Sequence, residues 1–172
     1  MKVRNLTGTA LLLGLALLSQ SLRLFLPLPM GISMFLIGTL VTICLLVATW
    51  RYGLKSGFVI AWITPVVAFL QGMLPLFPFI FIVGLGNTVF CALAYILKGR
   101  HIVWQILLCS LSKSAVLYSG FQLLFLSITV PAPMKGAILT SMSFPQIITA
   151  TLGILLTRLV LQRLSGLKDR AS

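Results

Sequence analysis

The chain is built from apolar segments about as long as a bilayer is thick, and one of them carries a lysine at its centre. A helix needs ~20 residues to cross the hydrocarbon core. The stretch from about residue 102 to residue 128 has that length, with Cys109-Ser110-Leu111-Ser112-Lys113-Ser114-Ala115-Val116-Leu117-Tyr118 in its middle. An ionisable group near the midplane costs about a few kcal/mol, so it faces the bundle interior, a cavity or a partner. The only acidic residue among 172 is Asp169, near the C-terminus, so no carboxylate of the apolar region can neutralise Lys113. Two readings stay open. Either the amine is uncharged and capped by Ser110, Ser114 and backbone carbonyls, or a negative charge comes from outside the chain.

Composition extends this to the whole chain. With 59% hydrophobic residues, 8% charged residues and a mean hydropathy of +1.14, the sequence reads as an all-α integral membrane protein. Six transmembrane helices are expected at about residues 6–26, 32–50, 57–73, 79–97, 102–128 and 144–161, forming one membrane domain over residues 1–172. That leaves no room for a nucleotide-binding or catalytic soluble domain. The first segment has the basic start of a signal peptide, Met1-Lys2-Val3-Arg4, but its apolar part is too long and lacks a small-residue cleavage site. Leu26-Pro27-Leu28-Pro29-Met30-Gly31 cannot continue a helix, because prolines lack the amide donor and restrict the residue before them. The connection Gln71 to Pro78 is apolar for a solvent-facing loop and is expected to fold back over something. Thr129 to Ser143, with Pro131, Pro133, Lys135 and Gly136, is expected to be the longest connection.

Lysine and arginine concentrate in cytoplasmic loops. With six spans, Lys2, Arg4, Arg51, Lys55, Lys98, Arg100, Arg158, Arg163, Lys168 and Arg170 all fall on one side, ten of the thirteen basic residues. Both termini are therefore expected inside. This bias accounts for the net charge of +12 without nucleic acid, and the surface it suits is a bilayer with anionic headgroups. Trp50 and Trp104 are read as anchors at the inner membrane surface, and His101 as a solvated loop residue. Cys44, Cys91 and Cys109 lie inside apolar segments with no paired spacing, which predicts neither disulfide nor metal site.

The exceptions to the charge pattern are Arg23, Lys113 and Lys135. On the fifth segment, helical spacing puts Ser110, Lys113, Ser114 and Tyr118 on one arc, with Gln122 further round. Gln71, Asn87 and Gln146 are expected in the same outer half. Each amide alone is more often glue between helices than a ligand contact. Taken together, Arg23, Gln71, Asn87, Lys113, Tyr118 and Gln146 outline a site for a small molecule bearing a carboxylate or another electron-rich group. A cationic ligand is disfavoured, since only aromatic faces such as Trp62 and Tyr118 could balance it. Ala10 and Gly14, four residues apart, allow close approach of another helix. No nucleophile–base pair and no phosphate-binding glycine loop is present, so neither enzymatic chemistry nor a cofactor is expected.

Taken whole, the chain resembles a substrate-binding S component of the energy-coupling factor transporters, the micronutrient importers of bacteria and archaea. The resemblance rests on length, on six helices with both ends inside, and on Ala10-xxx-Gly14. It rests also on Trp62-Ile63-Thr64-Pro65-Val66-Val67-Ala68-Phe69-Leu70-Gln71-Gly72-Met73-Leu74-Pro75 and on Pro145-Gln146-Ile147-Ile148-Thr149-Ala150. It implies a multi-pass protein of the prokaryotic cell membrane that holds a vitamin or related compound near its outer face. It also implies gating by the outer loops, a separate scaffold membrane subunit meeting Ala10 and Gly14, and two ATPase subunits supplying energy. The family's second small residue is alanine where this chain has Gly14. The alternative from another class is an assembly subunit whose Lys113 pairs with an acid on a neighbouring chain. A channel is disfavoured for want of a filter sequence.

Overall fold

The computed structural model describes residues 3–25 and 29–170, without the side chains of residues 30 and 164–170. The expected break at Leu26 to Leu28, and the side chains of Lys2, Lys168 and Arg170, lie outside that description. Seven helices follow one another: α1 (Val3–Phe25), α2 (Met30–Tyr52), α3 (Leu54–Leu70), α4 (Phe79–Ile96), α5 (Ile102–Ser127), α6 (Ala132–Ser141) and α7 (Phe144–Arg170). No strand occurs among the described residues. Five stretches are long and apolar enough to cross a membrane: Val3–Phe25, Gly31–Tyr52, Phe79–Ile96, Ile102–Ser127 and Ala132–Arg163, the last running through α6 into α7. The shorter α3, Leu54–Leu70, is also apolar. This is an all-helical architecture compatible with a multi-pass membrane protein.

The long helices run up and down. α2 is central, packing on α1, α3, α4 and α7, while α5 bridges α4 and α7. One end of the bundle gathers the C-termini of α1, α3 and α5 with the starts of α2, α4 and α7; it is called the Arg23 end below. The opposite, Arg158 end gathers the rest. Two apolar cores divide the interior. One holds Leu45, Leu46, Ile60, Phe90, Cys91 and Ile154. The other, built on Leu74, Phe79, Leu117, Phe121 and Phe125, has Phe79 edge-on to Phe121 with ring centroids 4.7 Å apart.

Most hydroxyls inside the bundle are satisfied locally. Thr42 donates to the Gly38 carbonyl at 2.7 Å, Thr49 to Leu45 at 2.7 Å, Thr64 to Ile60 at 2.8 Å and Thr88 to Gly84 at 2.8 Å. An unpaired buried polar group costs about 1–3 kcal/mol. A bond to the carbonyl four residues back removes that cost without a tertiary partner, so these threonines serve the fold.

The turns need particular backbone. Gly53 joins α2 directly to α3 with φ 98 and ψ 170, a region closed to residues with a Cβ. At the end of α3, Gly72 has φ 72; its N–H donates to Phe69 at 2.9 Å and that of Met73 to Ala68 at 2.9 Å. This is a Schellman motif, and it turns the chain back over the bundle as the apolar loop composition led us to expect.

One expectation gains detail and another is corrected. The connection from Thr129 to Ser143 contains a helix, α6, capped by Pro131 and carrying Pro133 in its first turn, where a missing N–H leaves no helical bond unmade. The prolines begin this helix. Trp50 is not an interfacial anchor: it is 8% exposed, and its indole N–H donates to the Ala94 carbonyl at 2.8 Å, tying α2 to α4. Trp104, by contrast, is 58% exposed.

Candidate functional site

Between the two cores, towards the Arg23 end, lies a cavity of about 310 Å³. A volume of ~300 Å³ is the lower end of the range for small-molecule pockets. Its polar lining includes Gln20 and Arg23 on α1, Ser33 and Thr42 on α2, Thr64 on α3, Asn87 on α4, Lys113 on α5, Ser141 on α6 and Gln146 on α7. Its apolar wall includes Met34, Met73, Leu74, Leu117 and Met142. The Schellman turn after α3 is what brings Met73 and Leu74 to that wall.

Lys113 is 5% exposed. Its ammonium nitrogen lies 5.2 Å from the centroid of the Phe90 ring, a favourable cation–π geometry, and no hydrogen-bond acceptor pairs with it among the described residues. The serines that cap it in one of the two readings are engaged elsewhere. Ser114 donates to the Ser143 carbonyl at 3.0 Å, and the Ser110 hydroxyl lies 3.3 Å from that of Thr151. Both fasten α5 to the beginning of α7. The polar stripe of α5 is therefore divided, its serines bonded to a neighbouring helix and its lysine facing the cavity.

α4 supplies both the Phe90 ring and a further lining residue. Asn87 stands one turn before Phe90 on the same side of the helix, is 6% exposed, and has no hydrogen-bond partner among the described residues. Its amide has two N–H donors and a carbonyl acceptor, and unlike threonine it makes no bond back to its own helix here. Gln20 uses its N–H on the Thr64 carbonyl at 3.2 Å, which leaves its buried Oε1 unpartnered. Gln146 meets only the Met142 sulfur, at 3.9 Å, a weak acceptor. Arg23 is exposed yet lines the same cavity, so it stands at the mouth.

The lining thus offers two cations and three amides with unused hydrogen-bonding capacity, and no carboxylate. Electrostatic interactions strengthen as the surroundings become less polar, so such a cavity attracts an anion or an electron-rich neutral molecule. It penalises a cation.

Arg23, Asn87, Lys113 and Gln146 are brought together from four helices; Gln71 and Tyr118 are not part of the lining. Gln71 caps α3 and donates from Nε2 to the Ser21 hydroxyl at 3.0 Å, fastening α3 to α1. Tyr118 is 45% exposed, and its hydroxyl accepts from Gln122 Nε2 at 3.1 Å on the outer face of α5. Sequence reasoning did not select Gln20, although it precedes Arg23 by three residues and shares its face. The lining methionines carry no periodic signal that distinguishes them from other apolar residues.

Ala10 and Gly14 lie on the outer side of α1. Ala10 is exposed, and a Cβ on Gly14 would meet nothing within 4 Å. The small residues packed inward are Gly8, against the Tyr52 ring, and Ala16, fully buried. Comparison with known proteins yields no relative: no family model, no curated protein and no solved structure matches this chain.

Proposed function

We propose that the chain is the substrate-binding membrane subunit of an importer of the energy-coupling factor type, holding a small anionic or neutral micronutrient in the cavity beside Lys113. The observation that carries this reading is that Lys113 and Asn87, both more than nine-tenths buried and both without side-chain hydrogen-bond partners among the described residues, line one cavity. A protein that keeps such groups unsatisfied incurs a stability cost, which a ligand offsets on binding. Arg23 at the mouth draws an anion in, and Lys113 receives it.

In this reading α1, α2, α3, α4, α5 and α7 are six spans, with both ends on the cytoplasmic side of a prokaryotic cell membrane. The exposed strip around Ala10 and Gly14 meets the scaffold subunit, and ATP is hydrolysed by two separate ATPase subunits. The chain itself performs no chemistry. α6 and the loop from Gln71 to Pro78 border the cavity and serve as its gate.

The assembly reading, in which Lys113 pairs with an acid of a neighbouring chain, has less support, because Lys113 faces an internal cavity and not the outer surface. Native mass spectrometry of the chain purified in mild detergent separates the two. A co-purifying small molecule that disappears in Lys113→Ala supports the binding subunit; an empty chain that holds another membrane subunit through Lys113 sinks it.

A further inference from the structure

The Arg158 end contains a second cavity, of about 530 Å³, lined by Trp50, Arg51, Lys98, Arg100, Gln105 and Arg158 among others. Its four cations come from three places in the chain: the last turn of α2, the turn between α4 and α5, and the middle of α7. No described side chain is acidic, since Asp169 is the sole acid of the sequence. A cytoplasmic charge bias requires basic residues at this end. It does not require them to converge on one concave surface.

The convergence is built. Arg100 N–H donates to the Leu97 carbonyl at 2.9 Å, and Gly99 between them has φ 88, closing a tight turn that carries Lys98 and Arg100 to the same rim. Arg158 is oriented by two hydrogen bonds, Nε to Gln105 Oε1 at 3.2 Å and Nη2 to the Arg100 carbonyl at 2.8 Å. Gln105 is 2% exposed and is itself held by a bond from Nε2 to the Leu97 carbonyl at 2.7 Å. A guanidinium has five N–H donors, so Arg158 keeps donors to offer from a fixed position. The side chains of Arg51 and Arg100 have no partner among the described residues. Lys98 differs, with its ammonium on the Trp50 carbonyl at the end of α2.

We propose that this cavity binds a phosphate group, carried by an anionic lipid or free in solution. Several guanidiniums converging from different elements match the several oxygens of a phosphate better than the two of a carboxylate. Close in sequence to the turn between α4 and α5 stand exposed apolar side chains, Ile96 at 70%, Trp104 at 58% and Val103 at 49%. A phosphate tethered to acyl chains could lie there with its chains along these residues, as basic pockets between membrane helices hold lipid headgroups.

The test uses the full chain in neutral detergent. Native mass spectrometry after mixing with phosphatidylglycerol or phosphatidylcholine reads lipid retention, and thermal melts with inorganic phosphate against chloride at equal ionic strength read the free anion. A lipid source gives at least tenfold greater retention of phosphatidylglycerol, reduced at least fivefold by Arg51→Gln with Arg100→Gln, exposed positions whose side chains brace nothing. A free source gives phosphate-specific stabilisation that the same double variant removes. Arg158→Lys keeps the charge and loses the fork, and weakens either response. The proposal is overturned if neither anion is preferred, if the double variant changes nothing, or if an acidic peptide displaces phosphate at equal charge.

Discussion

The two cavities use the same residue types in opposite ways. At the Arg158 end, Arg158 and Lys98 satisfy the carbonyls of Arg100 and Trp50 and the amide of Gln105, so each cation also joins elements of the fold. At the centre, Lys113 joins nothing by hydrogen bonds; it touches the Phe90 face and the cavity. The difference teaches how to read a cation in a bundle nearly devoid of acids. One that bonds backbone carbonyls contributes to stability, and one left unpaired is available to a ligand.

The contrast is broken most sharply by removing each cation in turn. Lys113→Met should lower affinity for the co-purifying ligand by about 2–5 kcal/mol, as expected when one partner of a buried charged contact is truncated, while making the empty protein more stable by about 1–3 kcal/mol. Ligand titration and thermal melts of the apo protein check both halves; a loss of apo stability would show that Lys113 is a structural bond after all. Arg158→Met should have the opposite sign on stability, costing about 1–3 kcal/mol, because Gln105 Oε1 and the Arg100 carbonyl lose their donor.

Smaller changes sharpen the same distinction. Asn87→Leu should weaken ligand binding by about 1–2 kcal/mol and leave apo stability unchanged or improved, whereas Thr49→Val, which removes a satisfied bond to Leu45 outside the cavity lining, should destabilise without a comparable effect on affinity. Gly72→Ala places a Cβ at φ 72 and should cost about 1 kcal/mol. By loosening the turn that presents Met73 and Leu74, it should reduce affinity a few-fold. Tyr118→Phe should leave ligand affinity within twofold of the parent, since its hydroxyl bonds to Gln122 on the outer face of α5; a larger loss would place the site elsewhere.

Much of the helical plan was legible. Apolar length located the long helices, and Pro29 and Pro78 stand immediately before α2 and α4. The helix α6 was not legible, because Pro131 and Pro133 signal both a loop and a helical first turn, and only the following residues' packing distinguishes the two. Trp50 was misread for a similar reason. Tryptophan near a basic segment suits an interface, but its indole here reaches the Ala94 carbonyl of a neighbouring helix.

The candidate site divides along the same line. Arg23, Asn87, Lys113 and Gln146 stood out because polar groups are costly in apolar segments whatever their neighbours. Gln71 and Tyr118 stood out equally, yet one fastens α3 to α1 and the other pairs along α5. Hydrogen-bond satisfaction is a property of partners that are distant in sequence, or of the rotamer chosen, and composition records neither.

What the sequence determined by itself is the solvent preference of each segment, the near absence of acids and the identity of the few groups that water-free surroundings make costly. The tertiary structure decided which of those groups find partners. Ser110 and Ser114 meet Thr151 and Ser143 of the α7 region, Gln20 is half satisfied by α3, and Lys113 and Asn87 are left facing a shared cavity. The physical reason is that burying a polar group is a local expense set by residue type, whereas relieving it depends on geometry that only the assembled bundle supplies.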